Sequence, residues 1–471
     1  MTAREDTLGN SRSAFSPTAR LSSLPGTTAW QRLWCVVLGA LFTFDVVDIN
    51  AFSYAAPTIT EEWGLSLSSV GVATSAAFLG MFCGAVAGGR VSDRVGRKRT
   101  IVGGVLLYSA ASLLTTLAGG LGFLVVVRFL TGVGISVATG ALIVYVAEMF
   151  PRASRGRYQS LLLAIGLLGA PLAAFFARLV IPAGEGMWRW VFVLGAGGLV
   201  PGLAAARLLP ESVRWQCARG RIDDALRTVL RLEDEAERRY GALPRPQEEP
   251  AVVPAGLRDL LRGGNLRNLT VGVVSSVLVS FAFFAFNAYV PTLLVENGYT
   301  RTESLSLTLA FSCAAVPGAL LAWPLVDRLE RKWAIFGLTV LVAALMLLFG
   351  MTRSEVGAAV FGFVLSMLLQ TQTAFMYAYL PELFPTQLRG LGAGLSNGLG
   401  RLAVFGGGFL FAPMLHGLGF AGFFVLIATI LVLGGATTGV FGIRTSGRAL
   451  LENEATSHTP EQASHPSKTT A

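Results

Sequence analysis

Charge is scarce in this sequence, and so are the side chains on which catalysis and metal binding depend. Only 14% of its 471 residues are charged, and it has three histidines and four cysteines. Soluble domains carry about 25% charged residues, so the composition excludes a soluble enzyme. Three cysteines lie in apolar segments and Cys217 lies in a polar stretch, so no disulfide framework is predicted. The sequence shows no metal cluster, activated nucleophile or phosphate-binding loop, and we therefore predict no enzymatic activity, no cofactor and no ATP-driven pump.

Hydrophobic residues, by contrast, are abundant. They make up 53% of the chain, and the mean hydropathy is +0.61. A helix needs about 20 apolar residues to cross the hydrocarbon core of a bilayer. Twelve segments of this kind occur, near residues 31–57, 70–91, 100–119, 121–147, 158–182, 187–208, 267–293, 304–326, 333–351, 355–380, 390–414 and 418–442. The sequence therefore predicts an all-α membrane protein with twelve transmembrane helices, for which the lipid bilayer is an obligatory partner.

Lysine and arginine are distributed unevenly between the connecting loops. The loops after the second, fourth, eighth and tenth segments are basic, whereas those on the other side offer only Arg189, Arg301 and Arg353. Cytoplasmic loops carry the excess of positive charge, so we expect a multi-pass protein of the plasma (inner) membrane with both termini in the cytoplasm. This bias also explains the formal net charge of +9, and no nucleic-acid partner is predicted.

The sequence repeats itself after 234 residues. The basic stretch around Asp93 recurs around Asp327, and the stretch around Glu148 recurs around Glu382. Two six-helix halves that share one orientation are parallel repeats. The predicted domains are a cytoplasmic tail (1–28), an N-terminal six-helix bundle (29–208), a cytoplasmic loop with short amphipathic helices (209–265), a C-terminal six-helix bundle (266–443) and a disordered cytoplasmic tail (444–471).

These repeated stretches, together with the PESVRW motif at residues 210–215, resemble the major facilitator superfamily. The resemblance covers nearly the whole chain and implies alternating access, in which two bundles rock about a central site. It also implies that charges in the basic loops pair across helix ends and hold one conformation closed; the alternative is a topogenic signal alone. The predicted gating residues are Gly89, Asp93, Arg94, Gly96, Arg97, Glu148, Arg155, Asp327, Arg328, Arg331, Glu382 and Arg389.

Two carboxylates interrupt the first apolar segment. Asp45 and Asp48 each cost about 2.5–3.5 kcal/mol in a membrane helix, and their i, i+3 spacing places them on one face. An intramembrane arginine, Arg128, is expected to face them; the alternative is that it snorkels to the outer surface. We interpret Asp45, Asp48 and Arg128 as proton-coupling residues, against the alternative that the carboxylates are structural. The second half has no copy of the pair, because Val279 and Ala282 occupy the equivalent positions.

A second intramembrane arginine, Arg401, lies near the middle of the eleventh segment with no acid at its depth. A substrate carboxylate would neutralise it through a bidentate contact; the alternatives are backbone carbonyls or Glu382. We expect Asp45, Asp48 and Arg401 to border one aqueous chamber. The further predicted substrate-binding residues are Tyr54, Asn287, Tyr289, Gln370, Gln372, Tyr377 and Asn397.

The carboxylate pair and the residues after it, Ser53 to Pro57, resemble the aromatic-acid and small-metabolite proton symporters, with Val46 where that branch usually has glycine. We therefore predict a secondary active transporter, acting as a monomer, that imports a small organic carboxylate with protons; aromatic and heteroaromatic acids are included. The alternatives are a proton antiporter that exports a drug or metabolite, sugar-porter-like uptake, and a membrane sensor that transports nothing. The sequence does not distinguish import from export.

Overall fold

The computed structural model describes residues 15–247 and 256–445, except Asp327 and Thr386. All regular secondary structure in this part of the chain is helical, and ten of its helices are long and apolar enough to cross a membrane. The last of the ten, Arg389–Phe441, breaks at Gly419 (φ 68°) and supplies two spans. Arg97–Thr115 adds one more. The predicted all-α fold with twelve membrane helices is therefore confirmed.

The twelve spans are numbered in chain order. They are span 1 (Ala29–Glu62), span 2 (Leu67–Val95), span 3 (Arg97–Thr115), span 4 (Leu121–Met149), span 5 (Arg155–Ala183), span 6 (Arg189–Leu208), span 7 (Gly263–Asn287), span 8 (Arg301–Val326), span 9 (Arg331–Met351), span 10 (Glu355–Glu382), span 11 (residues 389–418) and span 12 (residues 420–441). Helices Val213–Ala218, Ile222–Tyr240 and Leu257–Leu260 lie between spans 6 and 7. We call the face that carries both ends of the described chain the terminal face.

Span 1, which carries the two carboxylates, starts at a well-defined cap. The Thr28 side chain accepts from the backbone N–H of Gln31 at 3.3 Å, and the Gln31 side chain accepts in return from the Thr28 N–H at 3.0 Å. This capping box satisfies two of the backbone donors that a helix start leaves unpaired. The Gln31 amide also donates to the Met149 carbonyl at 2.8 Å, which fixes the start of span 1 against the end of span 4.

Glycine allows spans 2 and 4 to pack with their backbones in contact. A Cβ atom on Gly80 would lie 2.1 Å from the Phe129 carbonyl oxygen, and one on Gly132 would lie 2.0 Å from that of Ala77. Close approach of small residues is a main source of helix association in membranes, where lipid removes the hydrophobic drive between helices. This contact fixes span 4, and with it Arg128, relative to span 2.

We expect Gly132→Ala to lower the melting temperature of the purified protein, because the added methyl group forces the two helices apart. Overpacking of this kind costs about 1–3 kcal/mol. Gly140→Ala on the same span is the matched control, since a Cβ there would meet no atom within 4 Å, and alanine is the better helix former. Equal melting temperatures for the two variants in detergent would contradict this packing.

Candidate functional site

A cavity of about 210 Å³ lies between the two halves of the protein. Spans 1, 2, 4 and 5 line it from the first half, and spans 7, 8 and 10 line it from the second. A cavity of about 150 Å³ accommodates benzene, so this one has room for a small molecule with a single ring. Its aromatic lining residues are Phe52, Tyr54, Phe78, Phe283, Phe284, Phe286 and Phe311.

Arg128 is the charged side chain among the described residues that line this cavity. It is 2% exposed, so it lies inside the bundle and not at the outer surface. Its Nη1 donates to Asp48 Oδ2 at 3.4 Å, and its guanidinium carbon lies 5.5 Å from the ring centroid of Phe52. Its Nε atom has no hydrogen-bond partner in the described part of the chain. Arg128 Nε is therefore a buried donor without a partner in this conformation.

Asp48 lies behind the cavity wall, enclosed by spans 3, 4 and 6. It is 0% exposed, and Ser112 and Arg128 supply its hydrogen bonds. Span 6 approaches closely through Gly195, where a Cβ would lie 2.7 Å from Asp48 Oδ1. Because a side chain at that position would displace the carboxylate, the glycine determines how completely Asp48 is enclosed.

Asp45 is enclosed in the same way, one turn earlier on span 1. It is 1% exposed, and its Oδ2 accepts a hydrogen bond from Thr139 on span 4 at 2.7 Å. Neither Asp45 nor Asp48 lines the cavity. The expectation that both face an aqueous chamber is therefore wrong for this conformation, because span 3 hydroxyls and span 6 glycines close over them. Arg128 connects the cavity to Asp48.

Arg401 is not part of this arrangement. Its Nη1 donates to Ser136 on span 4 at 2.6 Å, so the contact crosses between the halves. Neither residue lines the cavity. The predicted grouping of Arg401 with Asp45 and Asp48 around one chamber is wrong, because the Ser136 hydroxyl provides the acceptor that the sequence could not identify.

Three of the predicted substrate-binding residues do line the cavity: Tyr54, Asn287 and Gln370. The Tyr54 hydroxyl lies 3.1 Å from Ser312 Oγ on span 8, so this pair joins the two halves at the cavity wall. The Asn287 amide donates to its own helix at Phe283, which leaves its carbonyl oxygen to a ligand or water.

Four others lie outside the cavity. Gln372 donates to Thr339 on span 9 at 2.7 Å, and the Tyr289 ring packs against Phe411. Tyr377 is 60% exposed, and the Asn397 amide donates within its own helix. None of these four residues lines the cavity in this conformation, and their assignment to a substrate site stays a prediction.

Several residues that line the cavity carry no sequence signal that would assign them to a site. Phe52, Phe78 and Phe311 are single phenylalanines in apolar spans, where nothing distinguishes a cavity wall from a helix interface. The polar residues among them are Asn50, Ser53, Thr74, Thr308, Ser312 and Ser366. A signal existed only for the Phe-rich run in span 7, from which Phe283, Phe284 and Phe286 line the cavity.

Contacts between the halves close the cavity on the face opposite the terminal face. Ser53 donates to the Ala288 carbonyl at 2.6 Å, and Ser75 donates to that of Phe405 at 2.7 Å. Further out, Glu61 forms an ion pair with Arg301, at the far ends of spans 1 and 8. Passage through this face therefore requires these contacts to break.

Five of the charged residues predicted to gate the terminal face form ion pairs within their own half. Arg97 makes a bidentate pair with Glu148 at 3.0 and 3.1 Å and a second contact with Asp93 at 3.0 Å. Gly96, the cap residue that precedes span 3, has φ 104°, a conformation that favours glycine. In the second half Arg331 pairs with Glu382 at 3.3 Å.

The other predicted gating residues lie at the same face. Gly89 and Arg94 are exposed near the end of span 2, and Arg328 and Arg389 are exposed near spans 9 and 11. Arg155 begins span 5, and Asp327 lies outside the described residues. The gating role of this set stays a prediction.

Residues 32–456 match the family described as Sugar (and other) transporter. The chain belongs to this family of major facilitator superfamily transporters. YyaJ of Bacillus subtilis, a protein named for metabolite transport, is 38% identical over 394 residues, which is 83% of this transporter and 87% of YyaJ. The niacin transporter NiaP of Acinetobacter baylyi is 28% identical over 442 residues, or 92% of this chain and 98% of NiaP.

The 4-hydroxybenzoate transporter PcaK of Pseudomonas putida is 28% identical over 419 residues, or 86% of this chain and 91% of PcaK. Among solved structures, a D-xylose-proton symporter superposes with a TM-score of 0.69 at 20% identity, covering 88% of this chain and 98% of the symporter. That similarity shows the fold alone. The family and the relatives are transporters, so this multi-pass membrane protein transports a small molecule and is not an enzyme.

We expect Arg401→Gln to change the affinity for a carboxylate ligand by less than about fivefold, because Arg401 lies outside the cavity and acts on it only indirectly. Ser136→Ala, which removes the partner of Arg401, is the control and should behave alike. Both affinities are measured by ligand binding to purified protein. If Arg401→Gln alone lowered the affinity for the carboxylate by much more than about fivefold, Arg401 would have to be part of the substrate site.

Proposed function

We propose that this transporter imports a small aromatic or heteroaromatic carboxylate together with protons, and that Arg128 binds the carboxylate group. The observation that carries the proposal is the buried ion pair of Arg128 and Asp48 in the wall of a phenylalanine-lined cavity. Arginine presents two N–H donors along one edge that match a carboxylate, and the Nε of Arg128 lacks a partner in the described structure.

Charge balance couples the substrate to the proton. Arg128 and Asp48 together are neutral when both are ionised, and both are at most 2% exposed. A substrate anion bound at Arg128 leaves one excess negative charge in a region of low dielectric, where an uncompensated charge is costly. Protonation of Asp48 removes that excess. The anion and the proton therefore favour each other's binding.

Mutual assistance of this kind supports symport over antiport. In an antiporter, substrate and protons compete for the binding site. Binding of a proton must therefore weaken the binding of the substrate, and the reverse. At Arg128 and Asp48 each of the two, the anion and the proton, strengthens the binding of the other. Both would therefore cross the membrane together, driven by the proton gradient. A cationic drug would meet Arg128 as a like charge, which disfavours its binding.

The relatives support the class of substrate. NiaP and PcaK are named for niacin and 4-hydroxybenzoate, which are both single-ring aromatic carboxylates. The cavity volume and the rings of Phe52, Phe284 and Phe311 suit such a molecule, since aromatic pairs prefer edge-to-face or offset contacts within about 7 Å.

We further propose that Asp45 is a second proton carrier and that the ion pairs at the terminal face take part in gating. The transporter would act as a monomer in the plasma membrane, with both termini in the cytoplasm. The excess of Lys and Arg on the terminal face supports this orientation.

The test is uptake of radiolabelled nicotinate and 4-hydroxybenzoate into proteoliposomes under an imposed proton gradient. We expect accumulation that a protonophore abolishes. Nicotinamide is the matched control ligand, because it keeps the ring and lacks the charge that Arg128 would bind. Uptake of nicotinamide or xylose equal to that of the acids, or acid efflux driven by inward proton flow, would refute the proposal.

Asp48→Asn separates coupling from binding. Asparagine resembles the protonated aspartate in shape and cannot lose a proton, so we expect substrate exchange without a gradient to persist while proton-driven accumulation is lost. Arg128→Gln is the companion variant, in which carboxylate affinity should fall by at least about tenfold. Full proton-driven accumulation by Asp48→Asn would exclude Asp48 as the coupling residue.

A further inference from the structure

Ser112 on span 3 occupies an unusual position between two acceptors. Its side chain is fully buried, and its Oγ hydrogen-bonds to Asp48 Oδ1. The same Oγ lies 2.9 Å from the carbonyl oxygen of Phe192 on span 6. A serine hydroxyl has one hydrogen and two lone pairs, so it donates to only one of these two oxygens at a time.

Each choice suits one protonation state of Asp48. When Asp48 is ionised, Ser112 donates to Oδ1 while Arg128 donates to Oδ2. When Asp48 has gained a proton, Oδ1–H donates to Ser112 Oγ, and the Ser112 hydrogen turns to the Phe192 carbonyl. The only species gained is one proton, taken from water on one side of the membrane and returned to water on the other after transport. The Asp48 carboxyl keeps a hydrogen-bond partner in both states.

We infer that Ser112 is a positioning residue for the transported proton, which stabilises Asp48 in its charged and its neutral form by reversing the direction of one hydrogen bond. This inference rests on the proposed proton symport. A buried polar group without a hydrogen-bond partner is destabilising. Without Ser112, the Asp48 carboxyl would lose a hydrogen-bond partner in at least one of its two protonation states.

The surroundings of Asp48 leave Ser112 without a substitute. From span 4 the charged group that faces Asp48 is Arg128, and from span 1 it is Asp45, beside which the Tyr108 phenol of span 3 lies. Span 6 presents Gly195, which carries no side chain; a Cβ there would lie 3.1 Å from Ser112 Oγ. Among the described side chains, Ser112 is the hydroxyl that hydrogen-bonds Asp48, whereas no hydrogen bond joins the nearby Tyr108 phenol to Asp48.

Span 3 also supplies a matched control. Thr115 is fully buried on the same helix, and its hydroxyl donates to the Ala111 carbonyl of its own helix at 3.0 Å. Thr115→Val removes a buried hydroxyl with little change of shape and leaves Asp48 untouched. Any general cost of altering span 3 should therefore appear in Thr115→Val as well.

The experiment is the pH dependence of proton-driven nicotinate uptake into proteoliposomes for Ser112→Ala, Thr115→Val and the unaltered transporter. Hydrogen bonds to an ionised group are about twice as strong as those between neutral groups, so loss of the Ser112 donor disfavours the ionised Asp48 more than the neutral one. Uptake needs the protonated form. We therefore expect the pH of half-maximal uptake to rise by about half to one unit in Ser112→Ala, with no shift in Thr115→Val.

Ser112→Cys is a second variant that controls for a folding defect in Ser112→Ala. Cysteine is close to serine in size, but its thiol is a weak hydrogen-bond donor, so we expect the pH profile to shift in the same direction. Unshifted profiles in Ser112→Ala and Ser112→Cys, or an equal shift in Thr115→Val, would overturn the role of Ser112. Absence of proton-driven accumulation in the unaltered transporter would instead overturn the symport proposal, and its full retention by Asp48→Asn would exclude Asp48 as the coupling residue, so these failures are distinguishable from a failure of the Ser112 inference.

Discussion

The ion pair of Arg128 and Asp48 is the constraint around which the first half is built. Two charges at most 2% exposed lose most of their hydration, and removal of one partner from such a pair typically costs about 3–5 kcal/mol. The neighbouring spans are shaped to make the pair tolerable. Because residue 195 is glycine, span 6 packs in contact with Asp48. Ser112 donates to Asp48 Oδ1, and Arg128 donates to Asp48 Oδ2. The glycine packing of spans 2 and 4 then fixes the arginine in place.

The sequence was sufficient to predict the architecture because membrane burial is a property of whole segments. Length and hydropathy located twelve spans, and the repeat of 234 residues related the two halves. Charge inside an apolar span is rare enough to be informative by itself, which is why the sequence predicts that Arg128 faces the two carboxylates of span 1; in the structure its partner is Asp48, at 3.4 Å.

The rest of the site depends on helix rotation and on close contacts, which an almost uniformly apolar sequence does not encode. A helix that is hydrophobic on all sides carries no periodic signal of its inner face, so Gln370 and Gln372 on span 10 could not be told apart, although the first lines the cavity and the second donates to Thr339 on span 9. The predicted position of Arg401 was wrong for another reason. Its partner is the neutral hydroxyl of Ser136, 265 positions away in sequence. A serine in an apolar span does not stand out as the partner of an arginine, whereas a carboxylate does.

The two halves of the repeat divide the work of the site between them. Span 7 is the repeat of span 1, yet Val279 and Ala282 stand where span 1 has its carboxylates, and both are buried against apolar neighbours. Just beyond them span 7 contributes Phe283, Phe284 and Phe286 to the cavity. The charged components of the site thus belong to the first half and much of its aromatic wall to the second. In a carrier whose halves rock against each other, a ligand with an anionic group and an apolar ring bridges both. Its binding energy would then depend on how the halves are placed, as differential stabilisation of two conformations requires.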